Sequence, residues 1–148
     1  MPKPKILVAI PAYRCAPQIT RVLDEIDEKL ASRVDEIAII DNGSPDDTVK
    51  KALEYKKNGR LGYKLRVYQN IDNYNLGGTH KVAFLKAEKE GFTHVLILHG
   101  DNQAKSDEGN LLIDFADQMK IPAFHRKSPL CIKDCASSRL GFSVNVFT

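Results

Sequence analysis

The chain has 148 residues, 43% hydrophobic and 28% charged, with a formal net charge of +3, which is the composition of one globular domain large enough to bury a real core. The basic excess is small and scattered among acids, so it gives no ground for a nucleic-acid partner and mildly favours an anionic ligand or membrane surface. No stretch approaches the roughly 18 to 20 apolar residues of a membrane span, and the three cysteines are odd in number without a Cys-x-x-Cys pair, which argues against a disulfide framework and makes a reducing cytoplasm the expected compartment.

Lys5 to Ile10 is a short β-rich run stopped by Pro11. Because the apolar stretch is so short, it reads as a first strand and not as a signal peptide. Gln18 to Leu30 carries Ile19, Val22, Leu23, Ile26 and Leu30 at helical spacing. Glu36 to Ile40 is a second apolar strand. A helix then opens with Ser44 as N-cap, Pro45 at the first helical position and Asp47 as the capping acid, and ends near Asn58-Gly59. Leu65 to Gln69 is a third strand. Asn75-Leu76-Gly77-Gly78 is a turn leading into a helix that Gly91 ends, with His80 and Lys81 on the surface of its first turn. His94 to Leu98 is a fourth strand, and a helix from Ser106 would bury Leu111, Leu112, Phe115, Ala116 and Met119. Beyond Lys120 the pattern weakens; residues 134–140 and Phe142 to Phe147 are candidate short strands. The alternation predicts an α/β fold, a mostly parallel sheet flanked by helices.

The four loops after the four strands should gather along one edge of such a sheet, where open α/β folds bind ligands. In the first, Pro11-Ala12-Tyr13-Arg14, Tyr13 can stack on a base or ribose and Arg14 can meet a phosphate; a plain strand-to-helix turn accounts for the same residues. In the second, Asp41 lies ahead of the cap and is free to accept from a nucleobase N–H or a ribose hydroxyl. In the third, Gly77 and Gly78 precede a helix, so backbone N–H groups can approach an anion, although the segment matches neither standard glycine-rich phosphate motif. In the fourth, His99-Gly100-Asp101-Asn102-Gln103, Asp101 and Gln103 offer oxygen ligands suited to magnesium or manganese, and His99 is a borderline ligand. The other histidines lack zinc-ligand spacing, and an ordinary turn remains the alternative for the whole loop.

These residues, in this order, resemble the family 2 glycosyltransferases with the GT-A fold. Ile6 to Arg14 resembles the family's opening strand and Pro-x-Tyr/Phe-Asn/Arg loop. Ile39 to Thr48 resembles its Asp-Asp-Gly-Ser-x-Asp-x-Thr motif, and Asn75-Leu76-Gly77-Gly78 its Asn-x-Gly segment. His99 to Gln103 stands where its Asp-x-Asp-x-Gln metal motif belongs, and Ser137 to Leu140 is faintly similar to a later Gly-Ser-Arg-Phe. The resemblance covers residues 5–118 well. Two departures stand out: His99 replaces the first acid of the metal motif, and Asn42 replaces the second acid after strand two.

The resemblance implies a UDP- or GDP-linked sugar donor with Mn2+ or Mg2+. Pro11, Ala12, Tyr13 and Asp41 would line the nucleoside pocket, with Asp101 as the central metal ligand and Gln103 and His99 beside it. Among family members, the polyprenyl-phosphate sugar transferases are the nearest in feel, which points to a polyprenyl phosphate acceptor and a cytoplasmic protein peripheral to the membrane. On this reading residues 1–120 form the nucleotide-sugar-binding domain and 121–148 begin the acceptor half. The chain then looks truncated, or completes its site as a homo-oligomer. No general base is evident; Asp134 is the one acid after Lys120. The alternative function is a non-catalytic nucleotide-binding or interaction module on the same scaffold.

Overall fold

A computed structural model describes residues 3–101, 107–118 and 144–147. The elements are β1 (Ile6–Ala12), α1 (Ile19–Glu25), α2 (Glu28–Arg33), β2 (Glu36–Asp41), α3 (Thr48–Asn58), β3 (Leu65–Asn70), α4 (Asn75–Glu90), β4 (His94–Ile97), α5 (Asp107–Gln118) and β5 (Val144–Phe147). The sheet order is β4-β1-β2-β3-β5. The first four strands run parallel, and β5 lies antiparallel on the β3 edge.

Every residue of β1 is buried, and its alternate side chains serve two cores. Ile6, Val8, Ile10 and Ala12 join a cluster with residues of α1, α2, α3 and α5. Leu7 and Ala9 pack with Val82, Ala83 and Ala87 of α4. This two-sided cover explains the continuous apolar character of the strand. The strand also runs through Pro11, which does not stop it as expected. The Pro11 carbonyl accepts from Gly100 on the β4 side, so the missing N–H of Pro11 faces that same side, beyond the last register pair Ala9↔Ile97.

Other expectations are corrected. The helix expected over Gln18 to Leu30 is two helices, because Asp27 takes an extended conformation and accepts from the Leu30 N–H at 2.6 Å, capping α2. Ser44 is not the cap of α3. Its hydroxyl accepts from Arg14 N–H, while Asp46 accepts from the Thr48 N–H at 3.2 Å. Gly77 and Gly78 lie inside the first turn of α4 and not in a preceding turn. Gly91 does end that helix, with φ 72°.

Helix α5 is rotated from the expected face. Leu111, Leu112 and Phe115 are 68%, 56% and 55% exposed, while Asn110 and Ile113 are buried. Polar docking sets this rotation. Asn110 Nδ2 donates to both Asp27 oxygens at 3.1 Å, and Arg33 pairs with Asp114 at 2.7 Å. Met119 lies outside the described residues, as do Gln103, Ser106 and the candidate strand over 134–140.

Asp27 thus caps α2 and anchors α5. Replacing it with alanine should cost about 1–2 kcal/mol of unfolding free energy in urea at neutral pH. The Leu30 N–H, helped by the Asn110 amide, holds the exposed Asp27 carboxyl below its ordinary pKa. A depressed carboxylate stabilises the fold above its unfolded pKa and loses that contribution as pH falls through its folded one. The gap between wild type and Asp27→Ala should therefore narrow below about pH 4; a gap that widens on acidification would contradict the assignment.

Candidate nucleotide site

Strands β2 and β3 lie on one side of β1 and β4 lies on the other. The order therefore reverses between β1 and β4, and ligands of open α/β sheets bind outside the strand ends at such a switch point. A cavity of about 300 Å³ opens there. From β1 come Pro11, Ala12 and Tyr13. From the β4 side come His99, Gly100 and Asp101. Asn42 at the end of β2 and Asn73, Asn75, Leu76 and Thr79 around the start of α4 complete the wall, with Cys15.

The two loops touch because residue 100 is a glycine. Its N–H donates to Pro11 O at 3.1 Å. A Cβ on it would stand 3.1 Å from that oxygen and 3.2 Å from Ala12 Cβ, tighter than ordinary packing. Tyr13 is 42% exposed, and its ring faces the Arg14 guanidinium at 5.4 Å. Arg14 and Asn75 are the non-glycine residues with positive φ among those described, at 53° and 58°. Each is held by a side-chain acceptor on its own N–H, Ser44 Oγ for Arg14 and Asn73 Oδ1 for Asn75, both at 2.9 Å. Backbone strain of this kind concentrates at ligand sites.

The second loop differs from expectation. Asp41 is fully buried, and its Oδ2 accepts from Ser44 N–H at 2.9 Å and from Gln69 Nε2 at 3.1 Å. Its first duty is thus to fold its own loop, by accepting from the backbone N–H three residues on. Its Oδ1 is buried with no hydrogen-bond partner among the described residues, so one acceptor remains. Asn42 is equally occupied. Its amide donates to Asn73 at 2.8 Å, and its oxygen accepts from Asn70 at 3.0 Å and from Tyr74 N–H at 2.8 Å. A carboxylate there would lose the bond to the Asn73 oxygen.

Of the expected residues, the structure brings Pro11, Ala12, Tyr13, His99 and Asp101 to one cavity. Arg14, Asp41, Gly77 and Gly78 stand near it without lining it, and Gln103 lies outside the described residues. Asn75 and Leu76 were expected only as part of the turn that resembles the family's Asn-x-Gly segment, with no role of their own in the site, and Thr79 was not expected; for Asn73 the run of asparagines at 70, 73 and 75 was the available signal. His80 is half-buried and not a free surface residue. Burial, then the neighbouring His99, hold its imidazole below its ordinary pKa. Burial pushes the Cys15 thiol up, which makes it a protonated wall residue and not a nucleophile.

Residues 7–127 match the family model described as Glycosyl transferase family 2. No curated protein matches the chain. Among solved structures, S. aureus TarS 1-349 is similar at a TM-score of 0.60 and 23% identity, over 77% of this chain and 32% of that one. TarS 1-349 in complex with UDP-GlcNAc gives 0.61 and 24%, over 77% and 31%. Its complex with UDP gives 0.61 and 23%, over 77% and 32%. At such identities the likeness is one of fold, and the chain spans about a third of the length of these structures. With the family model covering most of its length and the strand-end cavity at the β1–β4 reversal, the chain belongs to glycosyl transferase family 2 and carries the parallel sheet of its GT-A fold.

Proposed function

We propose that the chain binds a nucleotide-diphosphate sugar at the β1–β4 cavity with a divalent cation, as the donor part of a glycosyltransferase. One observation carries the reading: in a member of this family, the loops after β1 and β4 converge on a single cavity with Tyr13 on one side and Asp101 on the other. TarS has been solved with UDP-GlcNAc and with UDP, which makes UDP the first nucleotide to test and GDP the second.

On this reading Tyr13 stacks on the base, and Asp41 Oδ1 accepts from the nucleoside once the loop admits it. The first turn of α4, with Gly77 and Gly78 offering bare backbone, presents the positive end of the helix to the diphosphate. Among the described residues no three His, Cys, Asp or Glu side chains converge as a ready metal nest. Asp101 and His99 nevertheless fit a cation that takes its other ligands from phosphate oxygens and water. When bound, Mn2+ or Mg2+ supplies charge neutralisation for the departing diphosphate. A polyprenyl phosphate acceptor, and a protein peripheral to the cytoplasmic side of a membrane, complete the proposal; no helix of the described residues is long and apolar enough to cross one.

A second reading, a nucleotide-binding module without catalysis, is favoured by His99 in place of an acid. Incubation with labelled UDP-sugar separates the two: donor hydrolysis or transfer supports the enzyme, and binding without turnover supports the module.

Calorimetry with UDP and Mn2+ should show binding that weakens when the metal is chelated, and Asp101→Asn should remove the metal-dependent part. An unaltered metal response in that variant would overturn the role of Asp101. Tyr13→Ala should weaken UDP by about 1–3 kcal/mol, the range for a base stacked on an aromatic ring. Gly100→Ala should also weaken UDP by separating the two loops.

A further inference from the structure

We infer that His80 and His99 together form a two-nitrogen seat for a borderline divalent cation of the cobalt, nickel or zinc class, beside the cavity at its β4 side, where His99 lines the wall and His80, which does not line it, meets the His99 ring. This builds on the reading above that a cation sits at this edge, and it adds a ligand from α4 and a preference among metals.

Two observations converge. First, the rings of His80 and His99 meet with centroids 5.9 Å apart and planes at 67°. Two imidazoles sharing one tetrahedral ion, with metal–nitrogen bonds of about 2.0–2.1 Å, hold their ring centres roughly 5 Å apart. The pair thus needs to close by less than about 1 Å, within reach of small χ adjustments in two side chains. Second, His80 Nε2 is buried and has no hydrogen-bond partner among the described residues. An unpaired buried nitrogen is costly, and ring packing alone does not satisfy it. A bound cation does.

The two residues reach this point by independent routes. His80 comes from the second turn of α4, and His99 lies two residues past the end of β4. Asp101 stands on the same cavity wall as His99. Since no third acidic, thiol or imidazole group converges with the pair among the described residues, Asp101 would have to shift inward to join it. Otherwise water or phosphate oxygens complete the shell. Imidazole nitrogen selects zinc, nickel and related ions over magnesium, which prefers an all-oxygen shell. The substitution of His99 for an acid is then part of a changed metal preference and not a simple loss.

The test is NMR of the wild-type chain titrated with Co2+ alone, its four histidine side chains assigned through single His→Gln variants. Substoichiometric Co2+ should shift or broaden both His80 and His99. It should leave unmoved His94, which stands at the other end of β4 with its Nδ1 against the Thr93 hydroxyl at 2.9 Å. Excess Mg2+ should not reverse the effect. His80→Gln and His99→Gln should each weaken Co2+ by at least about tenfold, given that even outer-shell partners of metal ligands carry about 10- to 100-fold in affinity. Perturbation of His99 without His80, or reversal by Mg2+, would overturn the inference, as would no response in either ring. UDP calorimetry in Mg2+ on the wild-type chain reports separately on the donor site. UDP binding without a Co2+ response sinks only the imidazole pair, and a Co2+ response with no UDP binding under any cation sinks the donor reading.

Discussion

Two hydrogen bonds, Leu98 N–H to Ala9 O and Gly100 N–H to Pro11 O, extend the β1–β4 ladder beyond the last residue of β4. They set how far the loop at His99 to Asp101 travels alongside the loop at Pro11 to Tyr13. The cavity walls, the contact of His99 with His80 and the placing of Asp101 all follow from that extension. It is possible because Pro11 gives up its own N–H toward β4 but keeps its carbonyl there, and because Gly100 has no side chain to hold the strands apart.

The opposite wall is built from amides. Asn42, Asn70, Asn73 and Thr79 form one connected hydrogen-bond set that joins the ends of β2 and β3 to the start of α4. Asn42, Asn70 and Thr79 are buried, so the bonds among these three are sheltered from competing water, and breaking one strands its partner; the bond to Asn73 ends on an exposed side chain. Neutral amides can both donate and accept, which is why they can close such a network where carboxylates could not. The result is a fixed wall that carries no charge of its own, facing a β4 loop that carries Asp101.

Much of this was legible in the sequence, for reasons that differ from element to element. The parallel strands were evident because strands buried on both faces read as continuous apolar runs, as β1 and the Ile37 to Ile40 stretch of β2 do. The end of α4 was evident because Gly91 adopts the left-handed conformation that favours glycine. The convergence of Tyr13, His99 and Asp101 followed from topology alone. What escaped was decided by side chains acting at a distance. Asp27 split a helix that hydrophobic spacing joined, and the same carboxylate, with Arg33, turned α5 so that its leucines face outward. Ser44 had every local feature of an N-cap, but Arg14 N–H, thirty residues earlier, claimed its hydroxyl. His80 looked like a surface residue because nothing local marks the ring of His99 across from it.

The reversal of strand order also has a consequence in time. A chain is made from its N-terminus, and β1, β2 and β3 can pair in the order they emerge. One edge of β1 must stay open until residue 94 and those after it exist, because its partner there is β4, aligned from Ile6↔His94 onward. Closing that edge joins segments separated by 88 residues, as in the bond from Lys5 N–H to the Thr93 hydroxyl, and contacts so distant in sequence form late in folding. The cavity lies along this last seam, so nascent chains acquire it only after the rest of the parallel sheet is in place.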